Sequence, residues 1–159
     1  MIELRPMTEA EWNPIQRRTV SEYAQEHVRS GRWSQAEALD KALKEVAELL
    51  PNGIHTEGHG IYAVVDSATG QRVGHLWYQE KEKAGRACIF LYDLHIDAPF
   101  RRRGFARAAL HALEELARRK HEAGRIELHV FGHNIPARRL YASIGYEETH
   151  VMMAKELEP

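Results

Sequence analysis

Cysteine is almost missing from this chain. Cys88 is the one thiol in 159 residues, which excludes an internal disulfide and any cluster of cysteine metal ligands. It lies in the apolar run Ala87 to Tyr92 and reads as a core residue, not as the accessible, electropositive thiol that nucleophilic catalysis needs. Long hydrophobic runs are absent too. No 18 consecutive apolar residues occur and no apolar leader opens the sequence, so the expectation is a soluble, cytoplasmic protein with no membrane partner. Charge of one sign is not in excess. At a formal net charge of −1, the molecule as a whole has no reason to seek nucleic acid or an anionic surface. Repeats, low-complexity tracts and a dividing linker are lacking, and the length suits one domain over residues 1–159.

Signatures of several reaction classes are not found either. There is no GxxxxGK[ST] loop for nucleoside triphosphates and no HExxH zinc pair. The ten histidines include two pairs four apart, His55 with His59 and His129 with His133. That spacing gathers ligands on a helix, and neither pair lies in a helical segment, so no metal site is expected.

What the chain does contain is a change of period between Asp93 and Leu113. Up to Ile96 an apolar, β-rich run continues from Ala87 and reads as a buried strand. From Phe105 the apolar residues Ala108, Ala109, Ala112, Leu113 and Leu116 follow helical spacing. Between them stand Asp97-Ala98-Pro99-Phe100, then Arg101, Arg102 and Arg103, then Gly104. The first turn of a helix has N–H groups without partners and partial positive charge, so it attracts anions. Gly104 carries no Cβ to hold a phosphate away, and arginines at a helix start make sense when an anion faces them. The alternative is a solvated arginine run. The dinucleotide fingerprint GxGxxG/A fits Gly104 and Ala109 but puts a methyl, Ala106, at its second glycine, and the acidic residue expected about 20 positions on is missing.

Arg101-Arg102-Arg103-Gly104-Phe105-Ala106 resembles the [QR]xxGx[GA] acetyl-coenzyme A loop of the GNAT superfamily of N-acetyltransferases, preceded, as in that family, by an LxIxxPxR run from Leu94 to Arg101. Downstream, Asn134, Ala137, Tyr141, Gly145 and Tyr146 resemble the family's NxxAxxxYxxxG[FY] segment. The resemblance implies an acetyl-CoA-dependent transfer to a primary amine of a small molecule, peptide or protein. It implies a bulged strand ending in Ile96 that splays from a strand Ile126 to Val130, with the pantetheine arm along Leu94, His95 and Ile96. Pyrophosphate would sit on the amides of Arg102, Arg103, Gly104, Phe105 and Ala106, with Arg101 and Arg139 or Arg138 on phosphate charge and Asn134 on the pantetheine. It implies Tyr141 as the acid for the departing thiolate and Asp93 as a catalytic candidate. Tyr92 stands where many relatives have glutamate, which leaves the base open among Asp93, His95 and His129. A non-catalytic acyl-CoA sensing module is the alternative that Tyr92 feeds.

Along the chain, Ile2 to Pro6 reads as a strand, and Thr8 with Glu11 as a capping box opening a helix. Ser34 with Glu37 opens a second helix that Pro51-Asn52-Gly53 ends. Strands follow at Gly60 to Asp66, Arg72 to Gln79 and from Arg86, with a charged turn Glu80 to Gly85. Next come a helix from Phe105 to His121, the strand Ile126 to Val130, a helix Asn134 to Ser143 and a final strand Glu147 to Ala154. The order predicts an α+β fold with a mixed, mostly antiparallel central sheet and flanking helices. In the acceptor groove that the resemblance implies, Trp33, Trp77, Tyr78, His129 and Phe131 are wall candidates, with core packing as the alternative. A homodimer is left open.

Overall fold

The computed structural model describes residues 1–159. The elements are β1 (Ile2–Pro6), α1 (Glu9–Arg29), α2 (Ala38–Leu49), β2 (His59–Asp66), β3 (Arg72–Lys83), β4 (Arg86–Ile96), α3 (Phe105–His121), β5 (Ile126–Leu128) and α4 (Ile135–Ser143). The sheet runs β1-β2-β3-β4-β5. Neighbours are antiparallel except β4 and β5, which are parallel. This is the mixed α+β arrangement expected.

Each face of the sheet is covered by helices because successive strand residues point to opposite sides. Ile61, Ala63 and Val65 of β2 pack with Trp77 against Trp12, Ile15 and Ala24 of α1 and Ala42 and Val46 of α2. Tyr62, from the same strand, joins Leu76, Tyr78, Ile89 and Leu91 against Leu110, Leu113 and Ala117 of α3. α1 starts where the sequence says it should. The Thr8 hydroxyl accepts from the Glu11 N–H, and Glu11 accepts from the Thr8 N–H at 3.0 Å. Arg5 adds a two-pronged contact to the Glu11 carboxylate, closer arm 2.6 Å. Pro14 lies inside α1 rather than starting it. It falls in the second turn, where its missing N–H costs the helix one bond, the one the Ala10 carbonyl would accept.

Four boundaries differ from expectation. α2 begins at Ala38 with Glu37 at its N-cap position and no side-chain cap, so Ser34 and Glu37 do not open it as a capping box. The Glu37 carboxylate accepts from the Ser34 N–H at 3.2 Å, and the Ser34 hydroxyl accepts nothing in return. β3 runs on to Lys83, pairing Glu80 to Lys83 with Ile89 to Arg86, so the expected charged turn shrinks to Ala84-Gly85. This end of the ribbon is exposed, and polar residues hide a strand from a reading based on apolar alternation. β5 stops at Leu128 rather than Val130, because β4 stops pairing with it after Leu91. The expected last strand, Glu147–Ala154, is not one. Residues 147–159 carry no helix or strand and all are exposed, for a strand needs a neighbouring edge and none of the sheet's own edges takes this segment.

Candidate active site

β4 positions the chemistry. Trp77 lies opposite Asp93 and Tyr78 opposite Leu91, so Tyr92 is an extra residue, a β-bulge. An inserted residue reverses the side that every later one faces. Leu91 packs in the α3 layer and Tyr92 on the α1–α2 layer. Asp93 faces that second layer as well, where the Thr19 hydroxyl of α1 donates to its Oδ2 at 3.2 Å. His95 joins it, stacked on His75 with ring centroids 5.4 Å apart, while Leu94 and Ile96 turn back to the α3 side.

β5 parts from β4 at the same point. Parallel pairing covers Ile89, Phe90 and Leu91 and then stops. From Tyr92 to Ile96 the strand keeps only β3 as a neighbour, and its other backbone edge has no strand partner. The splay implied by the family motifs is therefore present, and Leu94, His95 and Ile96 lie along it.

Beyond β4 a single 3-10 turn, Ala98–Phe100, leads into the arginine loop. Arg102 has φ 61° and Gly104 φ 84°, both left-handed. Interleaving such residues with ordinary ones gathers successive N–H groups on one concave side. The amides from Arg102 to Arg107 donate to no backbone carbonyl. A Cβ built on Gly104 would meet nothing within 4 Å, so this face is open. With the 17-residue α3 behind it, the turn has the geometry and polarity of an anion site suited to phosphate.

The arginines divide. Arg101 donates from Nε to the Ile96 carbonyl at 2.8 Å, tying the loop to the end of β4. Arg103 lies over the Phe105 ring at 5.4 Å, and Arg102 is exposed. Phe105 and Ala106 rest partly buried on the cluster formed by Val64, Val73, Ile96 and Ala109.

α4 closes the other side. Asn134 caps it, its Oδ1 accepting from the Ala137 N–H at 3.3 Å, which leaves its NH2 for another acceptor. Tyr141 packs on the cluster containing Leu91 and lies 5.5 Å from the Tyr146 ring. Burial, and after it the charge of Asp93, push the Tyr141 hydroxyl up to about 12. Asp93 and Tyr141 thus share one electrostatic environment, and the tyrosine is neutral at pH 7. Arg139 is exposed on α4. Its neighbour Arg138 is engaged with the Gly132 carbonyl at 3.1 Å and with Glu148 at 2.7 Å.

Of the three base candidates, Asp93 and His95 come together and His129 lies apart, against Phe131. Burial, then Arg18, lowers the pKa of His95, and burial, then Arg32, lowers that of His129. Both rings are neutral at pH 7. Asp93 is asymmetric. Its Oδ2 takes the Thr19 hydroxyl and the His75 Nε2, the latter at 2.7 Å, while Oδ1 accepts no hydrogen bond from the chain.

Three neighbours of the site were not among the sequence candidates. His75, 1% exposed, is held by Asp93. Thr19 falls at helical spacing with Trp12, Ile15 and Tyr23, and nothing in that spacing marks it until α1 is set against β4. His27 is buried at the end of α1, stacked on Trp33 at 4.0 Å and edge-on to Phe131 and Tyr23. Neither of its ring nitrogens has a partner. Trp33 and Phe131 do gather here, whereas Trp77 and Tyr78 are core residues at 3% and 1% exposure. Their polar atoms are satisfied by His59 and His121.

The fold recurs in known proteins, two of them similar in sequence over nearly the whole chain. The chain is 34% identical over 156 residues to the uncharacterized N-acetyltransferase YycN of Bacillus subtilis, covering 98% of this chain and 99% of that one. To YdgE of the same organism, also named an uncharacterized N-acetyltransferase, it is 33% identical over 97% of each chain. The crystal structure of Bacillus subtilis YycN superposes with a TM-score of 0.93 over 100% of both chains. An acetyl transferase structure from Pyrococcus furiosus, 19% identical, shares the fold at 0.67 over 99% of each chain. Residues 17–146 match the model of the acetyltransferase (GNAT) family. A bulged strand that parts from its neighbour above an open ring of amides, the two motifs and these relatives agree, and the chain belongs to the GNAT family of acetyltransferases.

Proposed function

We propose that the chain transfers an acetyl group from acetyl-coenzyme A to a primary amine by direct attack. The observation that carries this reading is the run of amides from Arg102 to Arg107 without backbone acceptors, curled through left-handed Arg102 and Gly104 beside the open edge of β4. These amides and the start of α3 hold the pyrophosphate, and the Asn134 NH2 and the free edge from Leu94 to Ile96 hold the pantetheine arm. Bound acetyl-CoA supplies an activated carbonyl and a thiol leaving group.

The chain's own residues then manage protons. A lysine-like amine costs about 4.6 kcal/mol to deprotonate at pH 7 and an α-amine about 1.4 kcal/mol. The free Oδ1 of Asp93 receives the proton that the amine becomes willing to lose as it attacks. Thr19 and His75, both on Oδ2, keep that carboxylate oriented. Tyr141, protonated at pH 7, would give its proton to the thiolate as charge builds on the departing sulfur. At about 12 it holds its proton until that charge is well developed. Aromatic groups around Trp33 and Phe131, near the α1–α2 loop, form the wall an acceptor meets.

Titration calorimetry with coenzyme A and acetyl-CoA, followed by thiol release against a panel of amines, tests the reading. Micromolar binding with turnover of at least one amine is expected. Binding without turnover on α-amines, lysine peptides and polyamines would favour the acyl-CoA sensor, and no binding would refute both.

A further inference from the structure

We propose that the amine this protein acetylates carries a carboxylate close to its nitrogen, and that Arg32, on the loop between α1 and α2, receives that carboxylate. The inference rests on the acetyl transfer proposed above and names its substrate class. The carboxylates beside the aromatic chamber are engaged by the chain itself. Glu45 of α2 accepts the Tyr23 hydroxyl at 2.7 Å, and Glu26 of α1 is paired with His133. Glu127 of β5 takes both Lys83 and Arg125 at 2.7 Å. Asp93 gives Oδ2 to Thr19 and His75 and keeps Oδ1 for the amine.

The donors are left over. Arg32 is exposed, and its guanidinium has no carboxylate partner. Its amide donates to the His27 carbonyl at 3.0 Å, which holds the residue against the end of α1. His27 has no partner on either ring nitrogen, and Trp33 roofs it at 4.0 Å, so Arg32 is the donor that a ligand meets first. Across the floor the Lys81 ammonium lies 4.6 Å over the Phe90 ring and 5.5 Å over that of Tyr92, without an ion-pair partner. A chamber whose cations lack partners while its carboxylates have theirs favours a ligand that brings negative charge and oxygen lone pairs. Arg32 is also close to the chemistry. Leu128 lies opposite Leu91, so His129 comes level with the bulge at Tyr92. After burial, the Arg32 charge is the main cause that lowers the pKa of His129 and of His27, in the latter ahead of Glu45 and Glu26, which act in the opposite sense. A planar guanidinium meets a carboxylate through two parallel N–H bonds, which an ammonium cannot do.

Thiol-release kinetics on two trios test this: L-phenylalanine, phenylalaninamide and phenethylamine, and the same three built on leucine. The amides have the most readily deprotonated amine, so reactivity alone would make them the best substrates. The acid of at least one trio is expected to exceed both its partners in kcat/KM by at least about 10-fold. Arg32→Gln should erase that ratio, chiefly through KM, Arg32→Lys should keep part of it, and Lys81→Gln should reduce it about threefold. Because the ratio is taken within each variant, a general loss of structure does not imitate the effect. A peptide amide with aspartate at its N-terminus, compared with its asparagine counterpart, tells a peptide source from a free amino acid, and a preference for the acid in either series supports the inference. Faster turnover of the amides, the bare amines or polyamines, or a carboxylate preference that survives Arg32→Gln, would overturn it and leave acetyl transfer standing. Acetyl-CoA binding with no amine turned over would remove both.

Discussion

Asp93 and His75 meet diagonally across the ribbon, Oδ2 to Nε2 at 2.7 Å, although the strand register sets Asp93 opposite Trp77 and His75 opposite His95. The contact exists because the bulge at Tyr92 turns Asp93 toward the α1–α2 layer, onto a histidine that is 1% exposed. One carboxylate oxygen is thereby fixed and the other left to work. Asp93→Asn should lower turnover about 100-fold with coenzyme A affinity unchanged. His75→Gln should lower it less. Thiol-release kinetics beside calorimetry separate the two effects, and an Asp93→Asn enzyme with normal turnover would end the base assignment.

Tyr141→Phe should reduce kcat more than cofactor affinity. Since the hydroxyl is pushed up to about 12, it stays protonated throughout the range from pH 6 to 10. Any alkaline fall in rate below pH 10 therefore belongs to another group and should persist in the phenylalanine variant. A fall that disappears with the hydroxyl would contradict the pKa shift.

Gly104 has both a left-handed φ of 84° and an open face, which two substitutions can tell apart. Gly104→Ala should cost about 1 kcal/mol of stability from the backbone and weaken coenzyme A binding modestly. Gly104→Val should cost more and bring binding below detection while the circular dichroism spectrum remains native. Equal cofactor affinity in the valine variant would mean that phosphate binds elsewhere.

Glu11 offers a test at acid pH. The two-pronged bond from Arg5, then the Thr8 N–H, lower its carboxyl to about 2. A depressed carboxylate stabilises the fold above its unfolded pKa of about 4.3, and this contribution is lost as pH falls from there toward 2. The wild type should melt higher than Glu11→Gln at pH 7, and the gap should narrow steadily below pH 4. Thr8→Ala removes the other half of the box and should cost about 1 kcal/mol. Parallel melting curves for Glu11→Gln and wild type from pH 7 to 2 would exclude the linkage.

The sequence was most readable where local chemistry decides the outcome. Thr8 with Glu11, the helical spacing after Phe105 and the helix from Asn134 to Ser143 depend on near neighbours, and each lies where it was read. The arginine turn was visible for the same reason, since strand, proline, glycine and helix start are contiguous. What stayed hidden depends on register or on partners. His75 means little until β3 is set against β4. The polar end of β3 offers no apolar alternation. The residues from Glu147 to Ala154 have the composition of a strand, but composition cannot say whether a sheet edge takes them, and none does.

The extra residue at Tyr92 works as a parity switch. Upstream of it odd-numbered positions such as Ile89 and Leu91 look toward α3, and downstream the even-numbered Leu94 and Ile96 do. Deleting Tyr92, three nucleotides, would leave Leu91 opposite Tyr78 and Asp93 opposite Trp77 in an unbroken ladder, with the carboxylate and imidazole of Asp93 and His95 still on the polar side. What would go is the bend that an extra residue puts into a strand. A straightened β4 would have no local reason to part from β5, and the slot beside the reactive groups would close although the groups themselves had not moved.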